Sequence, residues 1–166
     1  MKKVSLLLVV CMLLTLCGCG SENVKIEDHT WQMLTITPSD DGSKMLYCSP
    51  AYLEAFPDME GVQALDLVLT AKDGTFTITD NTNGKTYEGS YEETGEDKMP
   101  GSADQDTGYG LVLGELPGIA TAYNEYPFKG AEVGSVKDRH ALFVMIDGYC
   151  LQFLADGVFE SDFATE

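Results

Sequence analysis

Five Asx-Gly pairs divide the chain after residue 40 into short segments. These expected turns restrict the possible folds more than any other feature of the sequence. The pairs are Asp41-Gly42, Asp73-Gly74, Asn83-Gly84, Asp147-Gly148 and Asp156-Gly157. An Asx-Gly pair adopts the positive φ angles of a tight turn, so each pair that lies between alternating apolar residues predicts a β-hairpin. Repeated hairpins of this kind predict an antiparallel meander.

The segments between these turns alternate apolar and polar side chains with the period of two that marks a strand. Phe76 and Ile78 alternate with threonines, for example. We predict strands over residues 30–37, 44–48, 64–72, 75–81, 85–92, 109–114, 118–123, 139–147 and 149–155. This number of strands predicts an all-β fold, an up-and-down antiparallel barrel of about 8–9 strands, because closure removes unpaired strand edges.

One short helix is expected over residues 50–56. Ser49 is a favourable N-cap, Pro50 suits the first position of a helix, and Pro57 ends it. This helix lies between the second and third predicted strands, where it is in a position to cover one end of the barrel.

The segment 141–146 reads Ala-Leu-Phe-Val-Met-Ile and is apolar on both faces. A barrel strand with a solvated outer face alternates, so we expect the outer face of this strand to be covered. The predicted helix or the C-terminal tail with Phe159 and Phe163 is the expected cover, and a partner protein is the alternative.

The first twenty residues have the pattern of an export signal. Lys2 and Lys3 precede an almost unbroken apolar run over residues 4–16. This run suits a secretory signal and is shorter than the roughly 20 residues that a membrane-spanning helix needs. The residues that follow, Leu16-Cys17-Gly18-Cys19, resemble the lipobox of bacterial lipoproteins.

This resemblance implies that residues 1–18 are a signal peptide and that Cys19 becomes the lipid-modified N-terminus, carrying diacylglycerol and palmitate. An ordinary cleaved signal peptide is the alternative. Residues 19–29 are then the lipid anchor and tether, and residues 30–166 are the β-barrel domain. We expect a protein anchored to the cell membrane through its N-terminal lipid and facing outside the cytoplasm.

The charge of the chain excludes one large class of partner. The sequence has 27 acidic and 10 basic side chains, a formal charge of −17. Nucleic-acid binding needs a basic surface, so we expect no nucleic-acid partner.

Lipidation of Cys19 and loss of the signal peptide leave Cys48 and Cys150 as a pair outside the cytoplasm. That compartment permits a disulfide bond, so this pair is a candidate. Two independent buried thiols are the alternative.

Several short motifs of the barrel segment resemble those of a known family. Trp31 opens the first strand, and the later segments 72–76, 87–91 and 148–153 read Lys-Asp-Gly-Thr-Phe, Tyr-Glu-Gly-Ser-Tyr and Gly-Tyr-Cys-Leu-Gln-Phe. This pattern is similar to that of small lipocalin-like lipoproteins of Gram-positive bacteria, over most of residues 30–155. The resemblance implies a lipocalin-like barrel at the cell surface.

The sequence contains no persuasive catalytic motif. Gly84-Lys85-Thr86 resembles the end of a phosphate-binding loop, but Thr79 stands where the first glycine of that motif belongs. His29 and His140 are far apart in the sequence, and neither belongs to a Cys or Ser motif. We therefore expect a non-catalytic protein without a cofactor, in which both histidines are structural.

The acidic segment 92–108 could alternatively bind calcium. It contains six acidic residues and one lysine, and Asp104 and Asp106 have part of the spacing of a calcium-binding loop. These two aspartates are the candidate metal ligands. A solvated acidic loop is the other interpretation.

Three functions remain open from the sequence. The first is a non-catalytic cell-surface module that binds an unknown protein or small-molecule partner. The second is a carrier of a small apolar ligand, with a barrel interior lined by Phe76, Ile78, Tyr87, Leu111 and Phe153. The third is a calcium-dependent acidic adhesion module.

The carrier needs a hollow barrel, and the sequence does not determine which residues face inward. Inward placement of five large side chains would fill the barrel instead: Leu65, Leu67, Leu69, Phe143 and Met145.

Overall fold

The computed structural model of the protein describes residues 23–95, 98–99, 101–128, 136 and 138–163. Cys19 and the predicted signal peptide lie outside the described residues. The described strands are β1 (Trp31–Pro38), β2 (Tyr47–Cys48), β3 (Gln63–Ala64), β4 (Leu67–Lys72), β5 (Thr75–Asp80), β6 (Lys85–Glu93), β7 (Thr107–Leu113), β8 (Leu116–Tyr123), β9 (Ala141–Ile146) and β10 (Tyr149–Ala155). Helix α1 covers Pro50–Ala55, and a 3₁₀ helix covers Glu160–Phe163.

Eight of these strands form a closed antiparallel barrel in the order β1-β4-β5-β6-β7-β8-β9-β10, because β10 pairs back onto β1. The pairing of β1 with β10 runs from Trp31 opposite Ala155 to Pro38 opposite Tyr149. The predicted all-β, up-and-down barrel with one short helix is therefore confirmed.

The other edge of β1 is shared between two strands. Trp31 and Gln32 pair with β4, whereas Thr35 and Ile36 pair with β2, which in turn pairs with β3. A bulge between Met33 and Thr35 shifts the register of β1 and allows Met33 and Ile36 both to join the inner core. The bulge also leaves Leu34 outside this core, in a second apolar cluster on the outer face of the barrel.

Two of the Asx-Gly pairs form the predicted two-residue hairpins. Asp73 and Gly74 have φ angles of 52° and 80°, and Asp147 and Gly148 have φ angles of 50° and 78°. Asn83-Gly84 ends a longer turn between β5 and β6, and Asp41-Gly42 lies in the loop between β1 and β2. Asp156-Gly157 follows β10 and leads to the 3₁₀ helix instead of a further strand.

The barrel interior is a packed apolar core to which all eight strands contribute. Trp31, Met33, Leu69 and Phe153 are fully buried in it. Leu67 and Leu69 belong to this core and Leu65 packs against it, so these three of the large side chains that would fill the barrel do face inward.

On β9, whose inner face the sequence left open, Leu142 and Val144 join the inner core, whereas Phe143 and Met145 belong to the second cluster outside the barrel. Both faces of this strand are apolar, so the period of two could not identify the inner one.

The outer cluster confirms that the chain covers its own apolar strand. Phe143 and Leu154 pack there with Phe163 of the 3₁₀ helix and with Tyr52 and Phe56, from α1 and its C-cap. The ring of Tyr52 lies 4.9 Å from that of Phe163. Helix α1 therefore packs on the barrel wall instead of across its end. Phe159, the other expected cover residue, is 52% exposed.

The segment 23–30 closes one end of the barrel. Val24 and Ile26 are buried in the inner core. The Ile26 N–H donates to the hydroxyl of Tyr109 over 3.1 Å, and its carbonyl accepts a 2.7 Å hydrogen bond from Trp31 Nε1. Residues 23–29, expected in the tether, thus pack with the barrel, and a chain that begins at residue 20 contains every described element.

Candidate functional site

The end of the barrel opposite the segment 23–30 has a cavity of about 490 Å³. The strands alternate in direction, so this end carries the turns after β5, β7 and β9 and the loop after β1. We call this end the mouth. The cavity is lined by Ile36, Leu46, Tyr47, Gly61, Gln63, Ile146, Asp147, Tyr149 and Leu151.

The sheet register aligns these side chains. Ile36 pairs with Tyr47 on one side and with Leu151 on the other. Tyr149, two residues nearer the turn, pairs with Pro38 and with Ile146. Directly paired residues of an antiparallel sheet share a face, so these side chains face the same space. Ile36, Ile146 and Leu151 contact the inner core below, which forms the floor of the cavity.

Tyrosines and one carboxylate form the upper part of the lining. Tyr47 and Tyr149 are 36% and 44% exposed, so both rings stand at the rim. Asp147 is the charged member of the described lining. The Ser39 N–H donates to the Gly148 carbonyl over 2.9 Å, which holds the loop of Asp40 and Asp41 beside this turn.

The predicted ligand-lining residues do not form this cavity. Phe76, Ile78, Leu111 and Phe153 are buried in the core and fill the barrel. Tyr87 is 43% exposed, because β6 pairs with β7 only from Gly89 onward and its first part extends past the barrel wall. Ile36, Tyr47 and Tyr149 were not predicted as lining residues, because the sequence indicates a strand over 44–48 but not its pairing with β1.

The calcium candidates lie at the closed end in different environments. Asp106 is buried, and its carboxylate accepts hydrogen bonds from the N–H groups of Ala103 (2.6 Å) and Asn124 (3.0 Å). Asp104 is exposed, and its carbonyl accepts from Lys98 Nζ. Asp106 therefore has a structural role in holding its loop against the end of β8. A calcium role for either residue stays a prediction.

His29 and His140, far apart in the sequence, meet at the closed end with ring centroids 5.2 Å apart. His29 Nδ1 lies 2.9 Å from Asp156 Oδ2, and His140 Nδ1 lies 2.7 Å from the Asn124 carbonyl. A carbonyl only accepts hydrogen bonds, as does an ionised carboxylate, so each imidazole carries a proton on Nδ1. These contacts connect the N-terminal segment to the ends of β8 and β10.

Cys48 and Cys150, the candidate disulfide pair, are free thiols in the structure. Cys48 pairs with Thr35 on one edge of β1, and Cys150 pairs with Thr37 on the other. The strand between them places their Cα atoms roughly 10 Å apart, beyond the about 7 Å that a disulfide spans. Burial raises the pKa of each thiol from 9.0 to about 11.

Across the residues that the structure describes, no three His, Cys, Asp or Glu side chains are arranged to hold a metal ion. Within the same ranges, no helix has the length and apolar character needed to cross a bilayer. Comparison of the chain with protein-family models, curated proteins and solved structures finds no match.

Proposed function

We propose that this chain is a membrane-anchored, non-catalytic binding protein whose barrel takes a small, mainly apolar ligand at its mouth. The cavity of about 490 Å³ carries this proposal, because its size and its Ile and Leu floor suit a small molecule. The barrel interior below the cavity is filled by core side chains, which favours binding at the mouth over transport inside the barrel.

The composition of the lining supports binding over catalysis. The polar side chains of the described lining are one carboxylate, one carboxamide and two phenols. Both histidines of the chain lie at the closed end, where their Nδ1 atoms hold neighbouring segments together.

Lipidation of Cys19 would orient the mouth away from the membrane. Asn23 lies at the closed end beside Glu93 and Thr94. The four residue steps from Cys19 to Asn23 span at most about 14 Å, so a lipid on Cys19 keeps the closed end near the bilayer. The proposed protein therefore binds a ligand that arrives from outside the cell.

Titration of residues 20–166 with the neutral fluorophore N-phenyl-1-naphthylamine tests the proposal. We expect saturable binding of one molecule per chain. Leu46→Trp fills the cavity and is expected to weaken binding at least tenfold. Val112→Trp, at an exposed position outside the described cavity lining, is the matched control and is expected to bind like the parent chain. Absence of saturable binding, or equal weakening by both variants, would contradict the proposal.

A further inference from the structure

The mouth cavity combines two tyrosines with a carboxylate, which an apolar ligand alone does not require. Tyr47 lies on β2 and Tyr149 on β10, the two strands that flank β1. Their pairing partners on β1 are Ile36 and Pro38, so both tyrosines face the same side of the sheet. Tyr47 and Tyr149 therefore lie on opposite sides of the mouth cavity, and β1 runs between them.

The separation of the two tyrosines suits a guest between their rings. Two strands that flank a third are roughly 10 Å apart, and side chains on the inner side of a curved sheet converge. Both rings keep a large exposed fraction, 36% and 44%, so neither is covered by the other. Phenol rings attract a cation placed over their faces within about 6 Å of the centroid.

The charge at the mouth has the sign that a cation needs. Asp147 lines the cavity, and the described lining contains no lysine or arginine. Glu60 precedes the lining residue Gly61, and Asp40 and Asp41 lie in the adjacent loop, which also carries the exposed Lys44. An anionic head group would meet net repulsion here, whereas a cationic one meets Asp147 and the two rings.

We propose that the mouth binds an organic cation, a substituted ammonium group held among Tyr47, Tyr149 and Asp147, with an apolar body on the Ile36, Ile146 and Leu151 floor. This inference rests on the proposed function and specifies its ligand class. The ammonium group stays at the rim, where water still reaches it, so its desolvation cost is small.

Isothermal titration of residues 20–166 with three eight-carbon probes tests the inference: octyltrimethylammonium, 1-octanol and octanoate. The titration is done without lipid because such probes also partition into bilayers. We expect the cation to bind at least tenfold more tightly than the alcohol, and octanoate to bind most weakly. Added salt should weaken binding of the cation alone, because a rim charge is screened over about 8 Å at physiological ionic strength.

Two variants with one control locate the cation. Asp147→Asn keeps the left-handed turn, since Asn tolerates positive φ, and should weaken cation binding about tenfold without changing octanol binding. Tyr149→Leu should weaken cation binding about fivefold. Asp73→Asn makes the same change in the matching Asp-Gly turn at the closed end and should have no effect.

The outcomes distinguish failure of the cation site from failure of the proposed binding of an apolar ligand at the mouth. Equal binding of the cation and the alcohol, tighter binding of octanoate, or an unchanged cation affinity in Asp147→Asn would overturn the cation site while the apolar mouth stands. No binding of any probe would overturn both.

Discussion

Arg139 Nη1 donates to both carboxylate oxygens of Asp162, over 2.7 and 2.9 Å, and this ion pair is almost completely buried on the Asp162 side. The Nη2 atom of the same guanidinium donates to the carbonyls of Ala155 and Gly157. Arg139 precedes β9 and Asp162 lies in the 3₁₀ helix, so one side chain holds the C-terminal segment on the barrel wall. Phe163 is buried beside it as part of the outer cluster.

Replacing Arg139 should therefore destabilise the protein strongly. Arg139→Met leaves the Asp162 carboxylate buried without its partner, and we expect the free energy of unfolding to fall by about 3 kcal/mol. Urea unfolding followed by circular dichroism measures it. Lys44→Met, which removes an exposed positive charge, should change stability by less than about 0.5 kcal/mol. A similarly small effect of Arg139→Met would show that the pair does not hold the segment.

Much of the barrel was predictable because its signals are local. The Asp73 and Asp147 turns and the alternation around Phe76 each depend on a few adjacent residues, and the structure confirms the strands that they predict. The Ser49 cap likewise begins the helix as expected, with its side chain accepting from the Tyr52 N–H.

The mouth was not predictable because it depends on pairing between distant segments. The pairing of the two-residue strand β2 with β1 places Tyr47 at the cavity, and the pairing of β10 with β1 places Tyr149 there, opposite Pro38. The sequence left the facing of Phe143 undetermined for a related reason, since only the packing of Tyr52 and Phe163 distinguishes its face from that of Leu142.

The two cysteines of the barrel should titrate as two thiols. In residues 20–166, Ellman's reagent should count two thiols after denaturation without reductant, where a disulfide would give none. In the folded protein near pH 8, a pKa near 11 in place of 9.0 lowers the thiolate fraction about 100-fold. Labelling of the native protein should be slower by at least that factor.

The same burial predicts a loss of stability at alkaline pH. The folded protein keeps the Cys48 and Cys150 protons up to about pH 11, whereas the unfolded chain releases them from pH 9.0. The unfolded state then binds fewer protons, so the two thiols lower the free energy of unfolding above about pH 9 and leave it unchanged at neutral pH. Burial also raises the pKa of Tyr109 and Tyr123 from 10.0 to about 12, which extends the fall.

Urea unfolding at half-unit steps from pH 7.5 to pH 11 measures this dependence. The double variant Cys48→Ala/Cys150→Ala should delay the onset by about one pH unit, to the ionisation of the tyrosines. An onset that stays near pH 9 in this variant would assign the effect to other groups.

Gly89 on β6 should not tolerate a side chain. A Cβ at this position would lie 2.3 Å from the ring of Phe76, its partner on β5, and 2.5 Å from the backbone oxygen of Val112. Gly89→Ala therefore has to displace both strands, and we expect a loss of about 1–3 kcal/mol in urea unfolding. Gly42→Ala has nothing within 4 Å of the added atom and should be nearly neutral. Equal stability of the two variants would contradict the packing of Phe76 over Gly89.

The contact between Ile26 and Trp31 should hold the segment 23–30 against the closed end of the barrel. Ile26 is fully buried, and its carbonyl accepts the indole N–H. Ile26→Ala removes three buried carbons and is expected to cost about 2–4 kcal/mol, whereas truncation of the exposed Lys25 to Ala should cost almost nothing. Because the mouth is at the other end of the barrel, the ligand affinity of folded Ile26→Ala should match that of the parent chain.

Urea unfolding measures the stability of these variants, and the fluorescence maximum of Trp31 measures its burial. This maximum should move to longer wavelength only in Ile26→Ala. An unshifted maximum with unchanged stability would mean that residues 23–30 do not pack into the barrel.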